Sequence, residues 1–245
     1  MRHYILTRSA YAPSVPLDVN RQRLELLRDV TAASLRAQTC RGMTWLVMVD
    51  AADPLLAERK AAIASAGLPV VFAPPGRLER SSPHDRPYAD WKRYIKWGDE
   101  TLTTRLDDDD ALAPWAMARV QAAASAERRR QPIVWTLPVG WRTVGSEAWR
   151  ITWPWAQFGT LHMPRGRMRT IYEVNHVGVA RLAPLMPVSN SPAWLWVRHA
   201  STRSSVNVGR QTMEEGRRET GPYPIDSRMR RAFPVDWDVI ERGFE

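Results

Sequence analysis

Thr104-Arg105-Leu106-Asp107-Asp108-Asp109-Asp110-Ala111-Leu112 decides how this chain is read, because its four consecutive carboxylates close the apolar, β-branched segment that begins at Leu102-Thr103-Thr104. Like charges packed at a strand end repel one another, so a fold that places them there needs a compensating cation or ample solvation. Mg²⁺ or Mn²⁺ supplies that charge: hard divalent ions take carboxylate oxygens and leave positions free for water and substrate phosphates. Acidic runs are more often solvated loop faces, but those sit among polar residues. Here Ala113-Pro114-Trp115-Ala116-Met117-Ala118 follows, a helix start with Pro114 in the first turn, where a missing N–H costs nothing. The carboxylates are therefore expected at a strand-to-helix turn on the carboxyl edge of a parallel sheet, the edge where open α/β folds bind ligands.

Outward from that turn, the first half alternates strand and helix patterns. His3–Thr7 is β-like, and a helix is expected over 20–38 with Leu24, Leu27 and Leu35 facing the core. Trp45-Leu46-Val47-Met48-Val49 is a strand closing on Asp50, Asp53-Pro54 opens a helix that runs to Ala66 before Gly67, and Pro69–Ala73 is a third strand. A Pro/Gly/Arg-rich loop follows over 74–87, then a helix over 88–97, a fourth strand over 101–106 and a helix over 113–128. This is an α/β pattern with a mostly parallel sheet flanked by helices. No G-x-G-x-x-G follows the first strand, which leaves the dinucleotide version of the layout unsupported.

After Pro132–Pro138 the texture changes. Tryptophan, glycine and proline crowd residues 140–166, which predicts irregular or antiparallel structure. Trp141, Trp149, Trp153 and Trp155 are either core residues, the usual fate of tryptophan, or flat platforms for a sugar ring. Trp153 and Trp155 are the candidates for acceptor binding. From Arg203 the chain is polar and arginine-rich until Phe233, Trp237, Val239 and Ile240.

At 245 residues and 44% hydrophobic content the chain can bury a sizeable core, and one globular body is expected. No apolar run has membrane-spanning length, and Met1–Arg8 has no signal-peptide core, so a cytoplasmic location is expected. The lone Cys40 excludes an internal disulfide and a cysteine-rich metal site. Thirty-five Lys+Arg against 26 Asp+Glu give +9, with the excess carried by arginine. Guanidinium forks bind phosphate and carboxylate, so nucleoside diphosphates, acidic glycans, an anionic membrane surface and nucleic acid all fit as partners. Arginine richness also accompanies GC-rich coding, so charge alone does not choose among them.

The helix end Ser34-Leu35-Arg36-Ala37-Gln38-Thr39, the strand Thr44–Val49 closing on Asp50, and the turn Thr104–Leu112 together resemble GT-A fold glycosyltransferases, and among them the rhamnosyltransferase family of bacteria. The resemblance covers roughly residues 1–205. It implies a GT-A-like domain with a nucleotide-binding half (1–130), an irregular or antiparallel acceptor-side half (131–205) and a C-terminal extension (206–245). It also implies that Asp50 contacts the base or ribose, that Asp107 faces the ribose or the metal's waters, and that Asp109 ligates the ion. Asp110 would be a supporting or capping carboxylate. Thr7 and Arg8 fall where the first strand reaches the nucleotide, and His199 in Trp196–Ser201 falls where many GT-A enzymes place a further metal ligand. Trp155–Thr160 and Asn175-His176 match acceptor-side and catalytic loops. No clear Glu-Asp pair marks a base; Glu147, Glu173 and His176 are available, and Glu173 and His176 share a face only if their segment is helical.

The activity that the resemblance implies is sugar transfer from a nucleotide-diphosphate donor to a hydroxyl acceptor such as a glycan. Breaking a sugar–phosphate bond builds negative charge on the diphosphate, which a divalent ion and arginines such as Arg8, Arg105 or those of the 74–87 loop stabilise. A general base takes the acceptor proton. Three other classes stay open. A nucleotidyltransferase would need a glycine-rich basic loop after the first strand, which Ser9–Val19 lacks. A non-catalytic carbohydrate-binding protein would use the tryptophans without Asp107 or Asp109, and a nucleic-acid-binding protein would show a steep salt dependence.

Overall fold

A computed structural model of the chain describes residues 1–9, 15–75, 90–97, 100–128, 130–154, 158–174, 176–199 and 217–242. The first half is built from β1 (Arg2–Arg8), a helical run of α1 (Leu17–Leu26), a π-helical stretch (Leu27–Ala32) and α2 (Ala33–Arg36), then β2 (Met43–Met48), α3 (Leu56–Ala64), β3 (Val70–Ala73) and β4 (Thr101–Arg105). β1 and β2 are buried along nearly their whole length. Strands covered on both faces read as continuous apolar runs, as Tyr4-Ile5-Leu6 and Trp45-Leu46-Val47-Met48 do. Leu27 and Leu35 are fully buried in the main core, and Leu24 packs at its margin.

The strand order places the site. β1 pairs in parallel with β2 on one side and β4 on the other, and β3 lies beyond β2. The chain thus winds outward from β1 through β2 to β3, then crosses to the far side of β1. That reversal opens a crevice between the carboxyl ends of β1 and β4, the position at which doubly wound sheets take ligands.

The second half contributes β5 (Ala111–Leu112), α4 (Ala116–Ala126), β6 (Ile133–Thr136), β7 (Val139–Val144), β8 (Glu147–Thr152), β9 (Thr160–Met163), β10 (Leu185–Pro187), β11 (Trp194–Arg198), β12 (Arg218–Pro224), α5 (Ser227–Ala232) and α6 (Trp237–Glu241). A seven-stranded sheet runs β10-β6-β9-β4-β1-β2-β3, in which β9 is antiparallel to both neighbours. A second, five-stranded sheet runs β12-β8-β7-β11-β5 and is largely antiparallel. The tryptophan-rich stretch is therefore antiparallel: β7 and β8 form a hairpin turned at Gly145, whose φ of 54° suits glycine. Gly140 serves a different need, since a Cβ there would lie inside the indole ring of Trp194.

Three expectations are corrected. The acidic turn does not pass straight into a helix. Ala111 and Leu112, both fully buried, pair with Leu195 and Trp194 of β11, because buried backbone groups must find partners, and α4 begins only at Ala116. The C-terminal residues are not an appended extension: β12 pairs with β8, and α5 and α6 bring Met229, Phe233, Trp237, Val239 and Ile240 against Leu26, Val30, Leu195 and Val197. Asp226 and Asp236 cap these two short helices through the amides of the first turn. The helix expected over 88–97 is, within residues 90–97, a single 3₁₀ turn, Trp91–Arg93. Among the described residues, no helix is long and apolar enough to cross a membrane.

A polar thread runs through the middle of the large sheet. His3 Nε2 lies 2.7 Å from Thr104 Oγ1, which lies 2.6 Å from Thr160 Oγ1, and Gln121 reaches His3 Nδ1 at 3.2 Å. Burial drives the His3 imidazole down to about 3, and burial also lowers His162. A lowered histidine takes its proton in the unfolded chain first, near pH 6.5, so the unfolded state binds more protons below that value and stability falls with pH. The midpoint of urea unfolding is expected to be lower at pH 5 than at pH 7.5, above the range of ordinary carboxylates; the raised carboxyl of Asp110, which takes its proton in the folded chain first, works in the opposite sense. His3→Gln, which keeps a hydrogen-bonding side chain without the titration, should shrink that difference, and an unchanged difference in the variant would remove His3 as its source.

Candidate functional site: an acidic turn between two sheets

The acidic turn is held from below by the helix end that precedes β2. Thr31 Oγ1, in the π-helical stretch, donates to the Asp110 carbonyl at 2.9 Å. Gln38 donates to the Ala113 carbonyl at 3.0 Å and accepts from the Met117 N–H at 3.2 Å, while the Thr39 N–H donates to the Pro114 carbonyl at 2.8 Å. The Ser34-Leu35-x-x-Gln38-Thr39 pattern thus has a physical reason: its polar members strut α2 against the chain leaving the carboxylates. Ser34 itself donates to the Thr31 carbonyl at 2.9 Å, tightening that helical run.

The four carboxylates do not act alike. Asp108 and Asp110 are buried, whereas Asp107 and Asp109 are half-buried. Asp110 accepts the Val197 N–H of β11 at 3.0 Å. Burial first, then the charges of Asp109 and Asp107, push its carboxyl well above the usual carboxylate range. Asp108 pairs with Arg23 of α1 at 3.9 Å. Asp109 Oδ2 lies 3.0 Å from His199 Nε2, a histidine 6% exposed just past β11. Asp107 meets Arg105 at 3.2 Å and accepts from the Tyr172 hydroxyl at 3.4 Å. Much of the charge compensation expected of a metal is supplied by arginines of the chain.

Asp107 faces the β1/β4 crevice, where a cationic cluster gathers. The Arg8 and Arg105 guanidiniums lie 4.9 and 5.0 Å from the centroid of the Tyr172 ring. Burial works against the charge on Arg105, and the Asp107 carboxylate outweighs it, so the guanidinium stays protonated. Burial, reinforced by Asp107, pushes the Tyr172 phenol up to about 12, against Arg105 and Arg8, so it remains a neutral donor. Trp91 stacks on Tyr172 at 5.5 Å. Tyr172 is set by a capping box on the 3₁₀ turn Ile171–Glu173 and by the Ile171 N–H, which donates to Thr103 Oγ1 of β4 at 3.0 Å.

Other expected residues fall into distinct places. Asp50, at the end of β2, accepts the Ala52 N–H at 2.9 Å and stays half-buried on the rim. Nearby, a fully buried Arg59 ties Asp53, Asn20 and Ser9 together, fixing the chain where it leaves β1 and β2. Thr7 is corrected: it is fully buried and accepts from Trp45 Nε1 at 2.9 Å, beneath the crevice rather than in it. Glu173 is also corrected. Its carboxylate accepts from the Thr170 N–H, meets Arg169 at 2.8 Å and Lys92 at 2.9 Å, and although burial opposes it, these partners hold it below the ordinary glutamate range, which suits a structural anchor rather than a base. It does not share a helix with His176, because the 3₁₀ turn ends at Glu173 and a separate one runs His176–Arg181. The His176 side chain, Trp155 and Asn175 lie outside the described residues. Trp153 is 1% exposed, so it packs the core and offers no face for stacking.

Sequence reasoning missed Tyr172, which lies far along the chain in a β-like run, and the arginines that cover the second sheet's aromatic rings. Arg142 lies 4.2 Å over Trp149, Arg198 lies 4.9 Å over Trp196, and Glu219 joins Arg142 to Arg217. The register of β11, β7 and β8, which pairs Trp196 with Arg142 and Arg142 with Trp149, was the missing signal.

The donor set fits a divalent ion in part. Two adjacent ligands on an octahedral ion with bonds of about 2.1 Å sit about 3.0 Å apart. Asp109 Oδ2 and His199 Nε2 have that separation, 3.0 Å. Among the described residues no three His, Cys, Asp or Glu side chains converge as a cage, and Asp107 faces Arg105 instead.

Comparison with known proteins places the chain. The family model described as "Putative rhamnosyl transferase" matches residues 18–211. No curated protein matches. Among solved structures, the crystal structure of S. aureus TarS matches with a TM-score of 0.47 and 11% identity, over 80% of this chain and 36% of that one.

Asp110 gives a direct check on this geometry. Asp110→Ala leaves the buried Val197 N–H without its acceptor and is expected to cost about 1–3 kcal/mol in chemical denaturation. Asp110→Asn keeps an acceptor and no charge, and should retain most of the stability. Equal losses in both would show that the carboxyl is needed charged.

Proposed function

We propose a reaction for this chain, which belongs to the rhamnosyl transferase family: transfer of a sugar, with rhamnose the first candidate, from a nucleotide-diphosphate donor to a hydroxyl acceptor such as a growing glycan, with Mn²⁺ or Mg²⁺ as cofactor. The observation that carries the reading is the Arg8–Arg105–Asp107 cluster at the carboxyl ends of β1 and β4, with the Asp109–His199 pair where the same acidic turn meets the end of β11. Anions with several charged oxygens need both a cation to bridge them and donors to orient them.

In this reading Asp109 and His199 would hold the ion, since hard cations need few protein ligands. When bound, the ion neutralises charge building on the departing diphosphate. Arg8 meets that diphosphate, and Arg105 keeps Asp107 oriented beside it. Asp50, on the rim beyond β1, is suited to a ribose or base hydroxyl. His176 takes the acceptor proton, since Glu173 is held in ion pairs.

A thermal-shift screen of dTDP-, UDP- and GDP-sugars with and without Mn²⁺ tests the reading, because a ligand that binds the folded state raises its stability by mass action. One nucleotide series should stabilise the chain, and more strongly with Mn²⁺. Transfer or donor hydrolysis should stop in excess EDTA. Asp109→Ala and His199→Ala should each lower it by about a hundredfold or more, the loss typical of removing a group that stabilises developing charge. Full turnover in EDTA would contradict the metal-dependent mechanism.

A further inference from the structure

In the β1/β4 crevice the phenol of Tyr172 donates to Asp107, and its ring lies under the guanidiniums of both Arg8 and Arg105. Arg105 is 6% exposed and committed to Asp107. Arg8 is different. It is half-buried, and among the described residues no carboxylate pairs with it. What holds it is the face of Tyr172, itself backed by Trp91 and pinned to β4 through Ile171. An arginine kept by an aromatic ring rather than by a carboxylate retains its donors for another anion. It stands at the switch point of the sheet, on the other strand from the acidic turn, so its contact with an anion is independent of the Asp109–His199 pair.

We propose that Tyr172 is a positioning residue that holds Arg8 as a phosphate contact, so that the chain binds a nucleoside diphosphate even without a divalent ion. This rests on the donor-site reading above and adds to it a metal-independent share of donor affinity. Turnover still requires the ion; binding does not.

Isothermal titration calorimetry with UDP, dTDP and GDP, each in EDTA and in Mn²⁺, tests it on the full chain. The wild type should bind one of them in both conditions, more weakly in EDTA. In EDTA, Arg8→Gln and Tyr172→Leu should each weaken binding by about tenfold, the scale of one charge-assisted contact. Tyr172→Phe, which keeps the ring and loses the hydroxyl, should fall between them and the wild type. The double variant Arg8→Gln/Tyr172→Leu should bind no more weakly than Arg8→Gln alone, because Tyr172 acts through Arg8, whereas general loosening of the crevice would add to the loss. If Tyr172→Leu does not fold, Tyr172→Phe takes its place in the cycle. Binding with Mn²⁺ and none in EDTA, additive losses, or wild-type affinity in the Tyr172 variant would each overturn this proposal while leaving the donor-site reading intact. Binding of no nucleotide in either condition would overturn both.

Discussion

One hydrogen bond sets the site. The Val197 amide of β11 donates to the buried Asp110 carboxyl, and the Asp110 carbonyl receives the Thr31 hydroxyl from the helical run on the other side. Asp110 therefore pins the second sheet to the end of β4. From that pin the geometry is reached by counting along the chain: one residue back is Asp109, two residues on from Val197 is His199, and the two side chains meet at 3.0 Å. Burial, with the charges of Asp109 and Asp107, pushes that carboxyl well above the usual carboxylate range, while it still accepts the Val197 amide proton.

The same turn shows how a chain accommodates four adjacent acids. Alternation buries Asp108 and Asp110 and leaves Asp107 and Asp109 half-buried. Each buried member has a different partner, the Val197 amide for Asp110 and Arg23 for Asp108. The accessible pair divides as well: Asp107 is matched by Arg105 and Tyr172, and Asp109 by His199. The crevice therefore joins two chemistries, an arginine-bearing wall on β1 and a carboxylate–imidazole pair at the sheet junction.

Much of this was legible in the sequence because local patterns carried it. Buried central strands read as apolar runs at Tyr4–Leu6 and Trp45–Met48, and the acid run at a strand end read as a ligand edge. What stayed hidden depends on distant partners. β5 has only two residues, too few for any period, and exists because β11 lies beside it. Thr7 looked like a rim residue, yet its side chain faces Trp45 on the neighbouring strand. Glu173 looked like a base until its ion partners Lys92 and Arg169 were placed. Tyr172 carried no motif at all; only the capping box and the Thr103 contact bring it over β4. Trp153 fills the core, as tryptophan generally does, while the aromatic faces of the second sheet are taken by arginines.

The most direct test is anomalous diffraction at the manganese absorption edge from crystals grown with MnCl₂ and the nucleoside diphosphate that stabilises the chain most. The account predicts a strong peak within about 2.3 Å of both Asp109 and His199, with the diphosphate reaching from that peak toward Arg8. A manganese peak away from this pair, or a diphosphate bound outside the crevice between β1 and β4, would contradict it.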